Sequence, residues 1–203
     1  MIGLLQTANF DDIVAMKATS GVSPEEGQRL AYLASQVPDG GVIVEIGSCH
    51  GRSAAYIASA LQEKGIQDVT FYAVDLWDLG VGRTPERHHS PAAFRRFKSN
   101  LKRLGVWHLV KPVKADSLAA AKKFAKQNRE IDLLYIDGGH KYEEVLLDYQ
   151  EWSPFVRIGG NIVFHDYNHE DIARMVNHVV RPSWKWGEFV VYERLISAVR
   201  RSI

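Results

Sequence analysis

The sequence predicts an α/β fold: a Rossmann-like, doubly wound, mostly parallel sheet that ends in a C-terminal antiparallel hairpin. Three observations predict it. Short β-branched runs alternate with helical stretches through residues 41–166, which gives five strands. The connections between them are long enough to hold a helix each, so the strands run parallel with helices on both faces. Finally, "SWKWGEFVVYERLISAV" at 183–199 offers two β-rich runs with no helix between them, and these should pair antiparallel at one edge of the sheet.

The elements follow in order. Ser23-Pro24-Glu25-Glu26 opens a helix: Ser23 caps, Pro24 suits the first helical position and Glu26 bonds back to the cap. That helix should run to about Val37 and stop at "PDGG". The strand "GVIVEIG" and the helix "SAAYIASALQEKG" come next, then the strand "VTFYAVD" ending at Asp75. An irregular loop spans Leu76 to about Ser90 and precedes the helix "AAFRRFKSNLKRLG". Strand "HLVKPVKA", helix "SLAAAKKFAKQ", strand "IDLLYID", helix "YEEVLLDYQEWSPF" and strand "GGNIVFHD" complete the alternation. A helix near Glu170–Val180 leads into the hairpin.

The chain of 203 residues is long enough for one well-packed domain and short for two. Within that single domain, residues 1–38 form an N-terminal helical segment, 40–168 a cofactor-binding core, and 169–203 the final helix and hairpin. Apolar residues at 46% and charged residues at 24% are ordinary for a soluble globular protein. With 25 basic and 24 acidic residues the formal charge is +1, which gives no reason to expect nucleic acid or an anionic membrane as partner. The basic stretch "RRFKSNLKR" reads as a solvated helix face. One cysteine, Cys49, excludes an internal disulfide and a cysteine-rich zinc site. The N-terminus has neither the basic start nor the long apolar segment of a secretory signal, so a cytoplasmic location is expected. The oligomeric state is open, a homodimer being one option.

In open α/β sheets ligands bind beyond the carboxyl ends of the strands. Those ends carry Glu45 and Gly47, then Asp75, then Ala115-Asp116-Ser117, then Asp137-Gly138-Gly139-His140, and last His165-Asp166-Tyr167-Asn168. Each of the five bears an acid at or near the final position. The first turn, "VEIGSCHGRS", spaces Gly47 and Gly51 with three residues between, whereas a dinucleotide fingerprint places a second glycine where Cys49 stands. A pyrophosphate would be crowded there, and Glu45 ahead of the glycine suits a cationic or neutral ligand. The pattern Glu45-x-Gly47-Ser48-x-x-Gly51-x-Ser53 fits a nucleoside cofactor without phosphates. Asp75 can accept the hydroxyls of a ribose. Asp116 can receive an adenine amino group, or simply cap the helix that follows, and Glu45 can equally be a buried ion-pair partner. Cys49 reads as a small residue in the turn rather than a nucleophile.

Together "VEIGSCHGRS", "YAVDLW", "KADS", "LLYIDGGHKYEEVLLDYQEW" and "GGNIVFHDYN" resemble a class I S-adenosylmethionine-dependent methyltransferase, in particular the macrocin-O-methyltransferase-like group. The resemblance covers about residues 40–168. It implies that Glu45 and Gly47 face the methionine part, that Asp75 binds the ribose, that Asp116 and Ser117 border the adenine, and that Ser48, Gly51, Ser53, Leu76, Trp77 and Asp137 also belong to the cofactor site. It also implies a magnesium ion on Asp137 and the pair His165-Asp166, where related sugar methyltransferases have aspartate in place of His165.

The expected reaction is O-methylation of a small hydroxylated molecule, such as a sugar or secondary metabolite. The catalytic candidates are His165, Asp137 and His140. A divalent ion on the carboxylates would lower the hydroxyl's pKa, and without one a histidine near neutral pKa would take the proton. His88 and His89, with Trp77, Arg83 and Arg87, lie in the loop 76–90, which is long enough to close over the site. Two other readings stand beside this one: a nicotinamide-dependent oxidoreductase, and a non-catalytic adenosyl-binding module.

Overall fold

The computed structural model describes residues 3–16, 21–66, 68–77 and 91–202, apart from the side chain of Pro91. The loop expected to act as a lid, with Arg83, Arg87, His88 and His89, lies outside the described residues. Seven strands form one sheet: β1 (Val42–Ile46), β2 (Thr70–Asp75), β3 (Val110–Lys114), β4 (Ile131–Ile136), β5 (Val156–Phe164), β6 (Trp186–Tyr192) and β7 (Leu195–Arg200). Their order is β3-β2-β1-β4-β5-β7-β6. The first five are mutually parallel, and β7 runs antiparallel between β5 and β6. The doubly wound sheet with its C-terminal hairpin is therefore as the sequence predicts. Among the described residues, no helix is long and apolar enough to cross a membrane.

The helices are α1 (Phe10–Val14), α2 (Pro24–Ser35), α3 (Arg52–Glu63), α4 (Pro91–Arg103), α5 (Ser117–Phe124), α6 (Tyr142–Trp152) and α7 (Glu170–Met175). The short α1 carries no strong periodic signal and lies within the N-terminal helical segment. Several ends are tighter or looser than the apolar pattern suggests. Trp107–Leu109, Ala125–Gln127 and Ser153–Phe155 are 3-10 turns, and Val176–Val180 is a π-helical continuation of α7. The capping box at α2 forms in full, with Ser23 Oγ accepting from Glu26 N and Glu26 Oε2 accepting from Ser23 N. Such a cap stabilises a helix by about 1 kcal/mol.

Strand alternation divides the core. Ile43, Phe71, Ala73, Leu133, Tyr135 and Val163 face the layer of α2, α3 and α4. Val42, Val44, Ile46, Leu134, Ile136, Ile162 and Phe164 face α5, α6 and α7. Because the period is two, Glu45 lies on the α2–α3 face beside Tyr135, which in turn pairs with Val163. Continuing two residues along the same face brings Gly47, Asp137 and His165 to the carboxyl ends. The parallel ladder carries them there, with Asp137 N donating to Ile46 O (2.9 Å) and His165 N to Ile136 O (3.1 Å).

Candidate active site

Two groups of residues meet at these strand ends. The first surrounds the turn after β1. Gly47 sits at φ +90, and a Cβ there would lie 2.0 Å from Asp137 O, so only glycine lets the β1 and β4 ends pack. Cys49 adopts φ 45, a left-handed conformation in the place where a dinucleotide fingerprint has glycine. Asp75 stabilises that backbone: Oδ2 accepts from Cys49 N (2.8 Å) and Oδ1 from Trp77 N (2.6 Å). Trp77 is buried, its rings 5.0 Å from Phe94 and 4.8 Å from Phe97, and its Nε1 donates to Cys49 O (2.8 Å). It therefore braces the turn from behind. Leu76, next to it, is half-buried.

Glu45 is fully buried. Ser48 Oγ donates to its Oε2, while Oε1 has no hydrogen-bond partner among the described residues. Burial is the main force raising its carboxyl to about 7; the Ser48 and Ser53 hydroxyls oppose the rise, and the charges of Asp137 and Asp75 add to it. At the end of β3, Asp116 Oδ1 accepts from Leu118 N (3.0 Å) and Ala119 N (3.3 Å), so it does cap α5. Ser117 Oγ accepts from Trp152 Nε1 (2.9 Å), tying α5 to α6.

The second group lies at the ends of β4 and β5. Tyr135 donates its hydroxyl to Asp137 Oδ2 (2.9 Å), and burial holds the phenol well above its usual pKa, so it stays a donor. His165 is buried, with Nδ1 3.1 Å from Asp137 Oδ1 and 3.1 Å from Asp166 Oδ1, though aligned as a hydrogen bond with neither. Its Nε2 is 3.2 Å from Glu26 Oε2. Burial opposes charge on this ring, but the attraction of Asp137 and contacts with Asp166 and Glu26 outweigh it and raise the imidazole to about 11. Asp166 adopts φ 50, which turns its carboxylate back toward the crevice. Its Oδ2 is 3.2 Å from His140 Nε2, and despite partial burial His140 and His165 hold it well below the usual carboxylate range.

The sequence points to Asp137, His165 and Asp166 as the metal-holding group; in the structure the three residues whose ligand atoms converge, all within 4.8 Å of one another, are Asp137, His140 and Asp166. His165 stands behind them, its Nε2 at Glu26 of α2 and its Nδ1 at Asp137 and Asp166, so that both of its nitrogens face carboxylates. His140, on the loop after β4, faces solvent with its side chain 49% exposed.

Two residues of this group escape a reading by motif. Glu26 belongs to the capping box, and its second use was invisible because its partners lie 139 and 168 positions away. Arg194 occupies the two-residue turn between β6 and β7, next to Leu195, which pairs with Tyr192. The register Phe164↔Ile196, continued by two residues, sets Arg194 opposite Asp166. Its Nη1 lies 3.1 Å from Asp166 Oδ1 and its Nη2 2.7 Å from Glu26 Oε2. A polar residue at each strand end was the available signal, and Arg194 lacks it because it precedes its strand.

The sequence profile of a methyltransferase-domain family matches residues 44–167, more than half of the chain. Solved structures of similar fold include the O-methyltransferase TomG of Streptomyces achromogenes, in complex with S-adenosylmethionine and involved in tomaymycin synthesis. It is 16% identical, with TM-score 0.71, over 98% of this chain and 92% of that one. An O-methyltransferase from Bacillus cereus in complex with S-adenosylhomocysteine is 15% identical, with TM-score 0.69, over 96% and 92%. A further similar structure is an S-adenosylmethionine-dependent O-methyltransferase of Thermotoga maritima, 15% identical with TM-score 0.69, over 97% of this chain and 72% of that one. A curated relative, an uncharacterised protein of Acanthamoeba polyphaga mimivirus, is 49% identical over 37 residues, 18% of this chain and 17% of that protein.

Proposed function

Because the chain belongs to the methyltransferase-domain family and has the class I S-adenosylmethionine-dependent fold, we propose that it transfers the cofactor's methyl group to a hydroxyl of a small molecule, such as a sugar or secondary metabolite. The observation that carries this reading is the meeting of Asp137, His140 and Asp166 at the strand ends next to the turn that holds Glu45. Methyl transfer from a sulfonium needs an oxygen nucleophile in line with the methyl and a group to take its proton. The second group supplies the proton chemistry, and the first supplies the cofactor's seat.

For the cofactor, the unfilled acceptor Oε1 of Glu45 suits the ammonium of the methionine part. Asp75 holds the turn in place and its carboxylate oxygens, each with two lone pairs, can also accept ribose hydroxyls. Asp116 and Ser117 keep their helix end in place beside the adenine. At the other end, Asp166 orients His140 through Nε2, and His140 takes the proton of the acceptor hydroxyl. Asp137, steadied by Tyr135, aligns that hydroxyl.

The donor set also suits a divalent cation, since two carboxylates with an imidazole in reach accommodate magnesium or manganese. Asp137 and Asp166 would hold it, and it would lower the pKa of the acceptor hydroxyl. Calorimetry with S-adenosylhomocysteine and with NADH tests the core of the proposal. Binding of the first and not the second is expected, followed by methyl transfer to members of a panel of hydroxylated acceptors. Binding of NADH alone would return the oxidoreductase reading, and cofactor binding with no turnover on any acceptor would favour an adenosyl-binding module. Chelation should slow methyl transfer; an unchanged rate would remove the cation from the mechanism.

A further inference from the structure

We propose that Glu26 is a positioning residue for the carboxylate pair Asp137 and Asp166, acting through His165 and Arg194. The inference rests on the reading of that pair as the reacting end of the site. A capping box asks one thing of its glutamate, an acceptor for the cap's N–H. Glu26 does this with Oε2, taking Ser23 N at 2.8 Å. It also takes Arg194 N on Oε1 (3.0 Å), Arg194 Nη2 on Oε2 (2.7 Å) and His165 Nε2 on Oε2 (3.2 Å). It is fully buried at the first turn of α2, where a helix cap ordinarily faces water.

The two side chains that Glu26 holds both reach on to the carboxylate pair, which His140 meets from the solvent side. The imidazole is rigid, so fixing Nε2 on Glu26 fixes where Nδ1 points: 3.1 Å from an oxygen of Asp137 and 3.1 Å from one of Asp166. Arg194 is held the same way, with Nη2 on Glu26 and Nη1 on Asp166. The guanidinium of Arg194 places a positive charge beside Asp166, and Glu26 determines where that group sits. The result is an alternating chain, Glu26 to His165 and Arg194 to Asp137 and Asp166, built from α2, the end of β5 and the hairpin turn. Glu26 itself touches neither reacting carboxylate in any hydrogen bond or ion pair among the described residues.

The test compares Glu26→Gln, Glu26→Asp and, as a control, Ser23→Ala. Three readouts are taken: the crystal structure, S-adenosylhomocysteine affinity by calorimetry, and Mn2+ affinity from the electron paramagnetic resonance signal of the free ion. Glu26→Asp keeps the charge but is one methylene short, so it cannot reach His165 and the Arg194 main chain together. The expected result is that both Glu26 variants bind Mn2+ roughly tenfold or more weakly, with His165 Nδ1 withdrawn from Asp137 or Asp166 and cofactor-product affinity unchanged. Ser23→Ala should lower the melting temperature and leave Mn2+ affinity as it was. Wild-type Mn2+ binding in Glu26→Asp would overturn the proposal by reducing Glu26 to a charge. An unmoved His165 ring in both variants would overturn it on geometry alone. If the wild-type protein binds S-adenosylhomocysteine but no Mn2+, the cation reading fails by itself, and the ring position in the variant crystals still decides the role of Glu26.

Discussion

Replacing Glu45 with glutamine should remove a pH dependence from the stability of the ligand-free protein. The carboxyl lies at about 7 in the folded chain against an ordinary 4.5, because burial penalises its charge. That difference corresponds to about 3 kcal/mol. The sign follows from proton uptake. Between these two pKa values the folded state binds the proton more tightly than the unfolded one, so stability falls as pH rises through the window. Integrated from about pH 5 to about pH 8, the loss is on the order of 2–3 kcal/mol. Urea denaturation of the wild type and Glu45→Gln at those two pH values isolates this contribution, since every other titrating group is shared. A constant offset from the unmet amide donors of glutamine is expected and carries no pH dependence. Parallel stability curves for the two proteins would refute the reasoning. The cofactor's ammonium should also draw the carboxyl back down, so S-adenosylhomocysteine binding near pH 7 should release about half a proton from the wild type and none from the variant.

Gly47→Ala should cost roughly 3 kcal/mol, since it forces a Cβ against Asp137 O at a positive φ; Gly40→Ala, also at positive φ but with open space around it, should cost about 1 kcal/mol. Thermal denaturation of the pair distinguishes the clash from the backbone strain. Asp75→Ala leaves Cys49 N and Trp77 N without their acceptor, and calorimetry should show S-adenosylhomocysteine bound tenfold more weakly or worse, on the order of 1.5–3 kcal/mol. His165→Asn should abolish a loss of stability at high pH. His165 is raised from 6.5 to about 11, so its contribution is complete below 6.5 and declines as pH rises toward 11. Thermal melts across that range should slope downward in the wild type and lie flatter in the variant. Tyr135→Phe removes the donor to Asp137 Oδ2 and should destabilise by about 1 kcal/mol in chemical denaturation.

The sheet was legible because its signal is local. β-branched runs such as "VIVEI" and "IDLLYI" alternate with helical stretches, and the hairpin follows from two strands with nothing between them. The residues at the strand ends were legible for the same reason, since a topological rule converts the last position of each strand into a place beside the crevice. What stayed hidden depends on direction and distance. That His165 lies on the α2 face follows from counting alternate residues along β5, but that it meets a carboxylate there needs the three-dimensional placement of Glu26. Asp116 was readable as either a ligand contact or a cap; its capping bonds are present, and they leave its ligand role to the proposal. Gly47 and Gly51 looked like room for a ligand, yet the atoms an added Cβ would meet first belong to Asp137 and Phe97. Packing of the protein's own atoms is thus a reason for glycine at both positions, whatever the turn holds.

The bond from Arg194 N to Glu26 joins residues 168 positions apart, while the turn held by Asp75 is closed across only 26. Closing the longer loop costs more chain entropy and waits on the last strand being in place. The support that His165 gives the carboxylate pair can therefore form once β5 joins the sheet, whereas that of Arg194 arrives only when β7 inserts.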